Sequence, residues 1–257
     1  MICEQCEREF HVGCLRKKMN NDLRALPEHK WFCGAQCKKI HSTLQTFVAK
    51  GDLELPETVG KILKKKFKGK ASKPSQTYSN MKWRILKPNS NSEDNGALLT
   101  RVKTILEEQF PELALRKVDG SLDERLIHTM VFGEKIDRHD FFGMHSAVLM
   151  IKSEIVCVGI FRVFGEEVAE LPLVATEKDN EKKGYCKALL LCMEDLLSTL
   201  QVKTLILPSA SSMKAMWKRK FWFKNLKKKQ LEKYTDNYQK IMPFEDTIVL
   251  HKLIHKS

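Results

Sequence analysis

Val168-Ala-Glu170-Leu-Pro172-Leu-Val174-Ala175-Thr176-Glu-Lys-Asp-Asn-Glu181-Lys182-Lys183-Gly184-Tyr185-Cys186-Lys187-Ala-Leu189 is the stretch on which the fold turns. It reads as a strand, a polar loop and a helix that opens at a glycine. Pro172 removes a ladder donor from inside the strand, so it belongs at an edge or a bulge. Beyond Gly184, the residues Leu189, Leu190, Met193, Leu196, Leu197 and Leu200 recur at helical spacing. Free backbone N–H groups at a helix start bind anions, and glycine allows close approach. A pyrophosphate is a natural guest there, with Lys182 and Lys183 adding positive charge.

Working outward, three strands precede the loop: His145–Lys152, Glu154–Val163 and Glu167–Thr176, with turns at Ser153 and Phe164-Gly165-Glu166. Upstream lies a helix carrying Leu98, Leu99, Val102, Ile105, Leu106 and Phe110, closed by Pro111. Ser121 and Glu124 fit a capping box that opens a helix through Val131. Downstream come a buried strand Thr204–Leu207 ending at Pro208, a helix over Ser212–Lys220, a basic helical stretch and a last strand near Thr247–Ile254. The order gives an α+β class with a mixed, largely antiparallel sheet flanked by helices.

The N-terminal part differs in kind. Of eight cysteines, five fall in the first 37 residues, beside His11. Cys3-x2-Cys6-x4-His11-x2-Cys14, followed by Trp31-x-Cys33-x3-Cys37, has zinc-ligand spacing. That clustering favours zinc in a reducing compartment over disulfides, and a segment this short needs the metal to fold. The expected organisation is a zinc module over 1–45, a lysine-rich linker over 46–80 and a larger domain over 81–257. A net charge of +13 is concentrated in Lys61–Lys73 and Lys214–Lys233. Each run suits a solvated face; together they suit a nuclear protein drawn to nucleic acid or chromatin. No run of about 18 apolar residues marks a membrane span. No segment names a protein partner.

The strand–loop–helix stretch resembles the acetyl-CoA-binding motif of the GCN5-related N-acetyltransferase (GNAT) superfamily, whose pattern is Gln or Arg, two residues, Gly, one residue, then Gly or Ala. Glu181, Gly184 and Cys186 take the three places. The resemblance implies a GNAT-like sheet with a bulge at Pro172 that splays this strand from the next. Acetyl-CoA would then bind along Val174, Ala175 and Thr176 and at Lys182, Lys183, Gly184, Tyr185, Cys186 and Lys187. It also implies that Glu170, 11 positions before Glu181, is the general base. A carboxylate among Val168, Leu171 and Leu173 has its pKa raised by desolvation; the alternative is a surface strand glutamate. The segment Ala215–Phe223 matches the family's helix and aromatic-Gly-Phe element, with Trp222 in place of the glycine.

The cysteine-rich segment resembles the later part of a PHD finger, a cross-braced two-zinc module. By order of ligands, the resemblance implies one complete site, Cys3, Cys6, Cys33 and Cys37. His11 and Cys14 would belong to a second site whose first pair is missing, with His29 or His41 as stand-ins; reading of a histone tail is expected to be weak or absent. The two modules together resemble the plant INCREASED DNA METHYLATION family of nuclear histone acetyltransferases, in an N-terminally truncated form. That resemblance implies an acetyl-CoA-dependent acetyltransferase acting on histone H3 lysines in the nucleus, opposing DNA methylation. The second reading is a chromatin cofactor that keeps the fold without turnover.

Overall fold

The computed structural model describes residues 1–18, 30–61, 80–88, 94–117, 119–238, 241–242, 244 and 246–255. Its helices are α1 (Val12–Lys18), α2 (Ala35–Lys50), α3 (Asn95–Gln109), α4 (Leu126–Phe132), α5 (Tyr185–Thr199), α6 (Lys214–Phe221) and α7 (Lys228–Asn237). The main sheet contains β1 (Leu53–Glu54), β2 (Met81–Leu86), β7 (His145–Ile151), β8 (Glu154–Phe164), β9 (Val168–Thr176), β10 (Thr204–Ala210), β11 (Lys224–Asn225) and β12 (Thr247–Leu253). Two small hairpins pair β3 (Leu115–Arg116) with β4 (Leu122–Asp123), and β5 (Lys135–Ile136) with β6 (His139–Asp140).

The strand order is β1-β2-β7-β8-β9-β10-β12-β11. Every neighbouring pair is antiparallel except β9 and β10, which run parallel across α5. Side chains alternate between the two faces of a strand. In β7, Ala147 and Leu149 join α2 and α5 in one core, while Val148 and Met150 join α3 and α4 in another. Because both faces are covered, β8 is a nearly unbroken apolar run, and Arg162 is the charge inside it.

The register of β8 against β9 carries one irregularity. Ile160 faces Leu173 and Arg162 faces Glu170, so Phe161 alone opposes Leu171 and Pro172. Two residues against one is a β-bulge, at the proline where the sequence places it. The bulge turns the pleat over. Ala169 and Leu171 pack with α5, whereas Leu173 and Ala175 pack with α3.

Several expected boundaries shift. Helix α2 runs through the 45/46 boundary to Lys50, and Leu53–Glu54 then pair with β2. The expected linker over 46–80 therefore starts with structured residues, and its residues 62–79 lie outside those described. The capping box does not form: Leu122 and Asp123 are held extended against Arg116 and Leu115, and Ser121 Oγ donates to Asp119. Strand β10 continues through Pro208 to Ala210, where β9 has already left one of its flanks, so the missing N–H is tolerated.

Gly159 of β8 leaves little room beneath α5: an added Cβ would lie 3.2 Å from Leu171 Cδ1 of β9 and 3.6 Å from Met193 Sδ of α5. Gly159→Val is expected to destabilise the fold by about 1–3 kcal/mol through overpacking. A urea-unfolding midpoint unchanged from wild type would refute that close contact.

Candidate functional site

Strands β9 and β10 pair at only three positions: Val168 with Thr204, Ala169 with Leu205, and Glu170 with Ile206. Beyond Ile206, β10 pairs only with β12, while β9 stays on β8 through Thr176. The two strands part at Glu170 and leave a wedge whose β9 wall is Val174, Ala175 and Thr176. Their backbone groups on the β10 side have no strand partner.

The wedge opens into a cleft of about 1010 Å³. Val174, Ala175, Thr176, Lys182, Gly184, Tyr185, Cys186 and Lys187 all line it; Lys183 does not, and its Nζ donates to Asn180 Oδ1 at 3.0 Å. Gly184 has φ +93 and caps α5, a left-handed conformation that suits glycine. The first N–H groups of α5 have no intrahelical acceptor. Lys182, Lys187, Arg219 and Lys220 contribute charge to the cleft, and Glu181 also lines it. A phosphorylated, partly apolar ligand fits this lining.

Trp222 stands at the cleft mouth. It ends α6 in a left-handed conformation, φ +60, and is 61% exposed, which accounts for a glycine being the expected residue at this place. Lys187 Nζ lies 5.1 Å and Lys252 Nζ 5.6 Å from its ring centre, within cation–π range. Trp217 and Phe221 serve twice, as core residues and as cleft wall.

Glu170 lies at the vertex of the wedge rather than in the cleft lining, and it is 1% exposed. Its Oε1 accepts the Met242 N–H at 2.8 Å, and its Oε2 has no hydrogen-bond partner. Burial raises its pKa to about 7, against the opposing pull of Arg162 and the Met242 N–H, with Glu7 adding to the rise. The carboxyl is thus tuned as the sequence suggests, but roofed by Met242.

Cys3, Cys6, Cys33 and Cys37 converge, with all four Sγ atoms within 4.8 Å of one another. Cys33 Sγ lies 3.6 Å from both Cys6 and Cys37, too far for a disulfide. Tetrahedral zinc–thiolate bonds of 2.3 Å place sulfurs about 3.8 Å apart, so the donor set fits zinc. The Cys33 N–H donates to Cys3 Sγ at 3.4 Å. Hydrogen bonds from its neighbours hold the Cys3 thiol well below its ordinary pKa, while Cys37 is pushed far up by Cys3; a bound cation is what lets all four ionise together. His11 and Cys14 are both exposed, and no group of three donors includes them among the described residues. His41 packs on Phe32, ring centres 5.0 Å apart, and His29 lies outside the described residues.

The comparisons with known proteins agree with this architecture. Residues 116–253 match the family described as Increased DNA methylation 1, C-terminal domain. The chain belongs to this family. It is 26% identical over 303 aligned residues to the Arabidopsis thaliana protein Increased DNA methylation 1, a match that takes in 100% of this chain and 24% of that protein. The chain therefore spans about a quarter of that relative's length. A crystal structure of Tetrahymena GCN5 superposes with a TM-score of 0.54 at 21% identity, over 68% of this chain and 97% of that one, which makes the fold GNAT-like. The catalytic domain of the Tetrahymena GCN5 histone acetyltransferase in complex with coenzyme A aligns at TM-score 0.48 and 21% identity, over 68% and 93% of the two chains. Among the described residues, no helix is long and apolar enough to cross a membrane.

Three residues of the site escaped sequence reasoning. Arg162 faces Glu170 across the ladder, Glu7 pairs with Arg162 at 3.3 Å, and Met242 caps the carboxyl. Arg162 did leave a signal, as a lone charge in an apolar strand. Glu7 and Met242 left none, because each comes from a distant segment.

The folded protein keeps a proton on Glu170 that the unfolded chain releases above pH 4.5. Stability therefore falls as pH rises from 4.5 to about 7, by on the order of 3 kcal/mol. Glu170→Gln removes that slope. Urea unfolding from about pH 4 to about pH 8 should show wild type losing ground to the variant; a constant gap would count against a late-ionising carboxyl. Native mass spectrometry is expected to find one zinc ion per chain, lost in Cys33→Ser. A metal-free wild type would contradict the four-cysteine site.

Proposed function

We propose that this chain is an acetyl-CoA-dependent N-acetyltransferase that modifies lysine side chains of a histone, with H3 as the favoured substrate. The observation that carries the reading is the parting of β9 from β10 immediately after the Glu170–Ile206 pair. It leaves unpaired strand backbone at Val174–Thr176 for the amide groups of a pantetheine arm. The start of α5 then supplies N–H donors for a pyrophosphate, and Lys182, Lys187, Arg219 and Lys220 supply charge for the phosphates. Lys183, on the same loop, adds to the field at the cleft mouth. The exposed Trp222 offers a flat apolar surface to the adenine ring.

A lysine ammonium is no nucleophile until it loses a proton. Glu170 accepts that proton on Oε2, and a pKa near 7 keeps it both ionised enough to act and basic enough to matter. The amine nitrogen bonds to the acetyl carbon, the carbon–sulfur bond breaks, and the thiolate of coenzyme A leaves. Membership of the Increased DNA methylation 1 family and the basic segments support a place in the nucleus, on chromatin, in opposition to DNA methylation. The four-cysteine site belongs to a PHD-type module, to which His11 and Cys14 belong by sequence, and that module supports the same setting.

A second reading is a cofactor protein without turnover, favoured by Glu181 in the phosphate loop and by the Met242 roof. Calorimetry with acetyl-CoA, followed by acetylation of histone H3, separates the two. Wild type is expected to bind and transfer. Glu170→Gln should bind equally well and transfer about 10²–10⁴-fold more slowly. Binding with no transfer by wild type supports the second reading, and absence of binding removes the acetyltransferase reading.

A further inference from the structure

The metal knuckle reaches into the proposed transfer site through one side chain. Glu7 follows Cys6 directly and sits at φ +56, a left-handed conformation that a glutamate adopts at some cost. Its side chain is only 8% exposed, and Oε2 lies 3.3 Å from Arg162 Nη1. The fold reserves space for it: a Cβ added to Gly143 would meet Glu7 Oε1 at 1.9 Å.

Arg162 is itself 1% exposed, has its Cζ 5.7 Å and 5.6 Å from the ring centres of Phe141 and Phe164, and donates from Nη2 to the Asp140 carbonyl at 2.9 Å. It stands in register with Glu170 on the adjoining strand, on the same sheet face. The knuckle is bound to this strand elsewhere too. Gln5 Nε2 donates to the Val163 carbonyl at 2.8 Å. Gly165, at φ +65 in the β8–β9 turn, comes so close that an added Cβ would lie 3.3 Å from Cys6 Cβ and 3.6 Å from Cys37 Sγ.

We infer that Glu7 is a positioning residue for acyl transfer: the metal-bound knuckle holds its carboxylate on Arg162, so that metal loading at the four cysteines sets the competence of Glu170. The inference rests on the reading of Glu170 as the proton acceptor. A buried guanidinium needs a counter-charge. Among the described residues, Arg162 stands opposite Glu170 in the ladder, the Met242 N–H donates to it, and Glu7 adds a further negative charge. While Glu7 occupies Arg162, Glu170 keeps a free oxygen. When Glu7 is removed, or the knuckle unwinds with its metal, the uncompensated cation turns to Glu170, the carboxylate opposite it in the ladder. An ion-paired carboxylate is a weaker base.

The test uses the full zinc-loaded chain with acetyl-CoA and histone H3. Glu7→Gln keeps the side-chain volume, and its zinc content and acetyl-CoA affinity serve as folding controls. The expected result is a tenfold or greater fall in kcat with KM for acetyl-CoA unchanged, and an acidic limb of the pH–rate profile displaced to lower pH. Glu7→Gln combined with Arg162→Met removes the stray cation and should recover at least threefold of the lost kcat. A purely structural role predicts a worse double variant. A second readout needs no activity: stripping zinc should raise amide exchange across 163–168 while α5 stays protected.

A single variant with wild-type kcat and pH profile overturns this inference alone. So does a double variant no better than the single, or hairpin exchange indifferent to zinc. A wild type that binds acetyl-CoA but never transfers overturns the acetyltransferase reading and this inference with it.

Discussion

Strand β9 cannot remain hydrogen-bonded to both neighbours past Glu170, and the rest of the site depends on that parting. The cause is local. Leu171 and Pro172 together oppose Phe161, and the extra residue turns the pleat over. Before the bulge, Glu170 shares a face with Arg162; after it, Leu173 and Ala175 take that same face while Val174 turns toward α5. One inserted residue thus sets a carboxyl at the vertex and unpaired backbone along the wedge.

The charges divide accordingly. At the open end, cations and helix N–H groups collect around a cleft suited to phosphates. At the closed end, a single guanidinium is shared by the surroundings of two carboxylates, Glu7 and Glu170. Solvent is excluded there, so each charge depends on its protein partner, and the balance among the three fixes where Glu170 titrates. The excess positive charge of the chain lies mostly elsewhere, in segments that suit a polyanionic setting.

The four-cysteine cluster is packed onto the main sheet. Helix α2 carries Cys37 on its first turn, and Ile40 and Leu44 of the same helix enter the main core. Cys3, Cys6 and Cys37 pack with Phe164, Val168 and Ile206 from the sheet. Cys37 and the core residues Ile40 and Leu44 thus share one helix face, which brings the cysteine cluster onto the sheet.

Much of this was legible in the chain. Apolar periods fixed the central strands and α3 and α5, because burial on two faces leaves long apolar runs and burial on one leaves a helical stripe. Pro172 pointed to an edge or a bulge, Gly184 to the helix start, and the likeness to a PHD finger to the four-thiolate set. Other features had no local signature. The capping signal at Ser121 lost to a strand pairing. The triad of Glu7, Arg162 and Glu170 spans 163 positions and is assembled only when the knuckle lands on the β8–β9 turn. Short-range pattern encodes which face of each element is buried. Which charges meet inside is decided by how those faces close on one another.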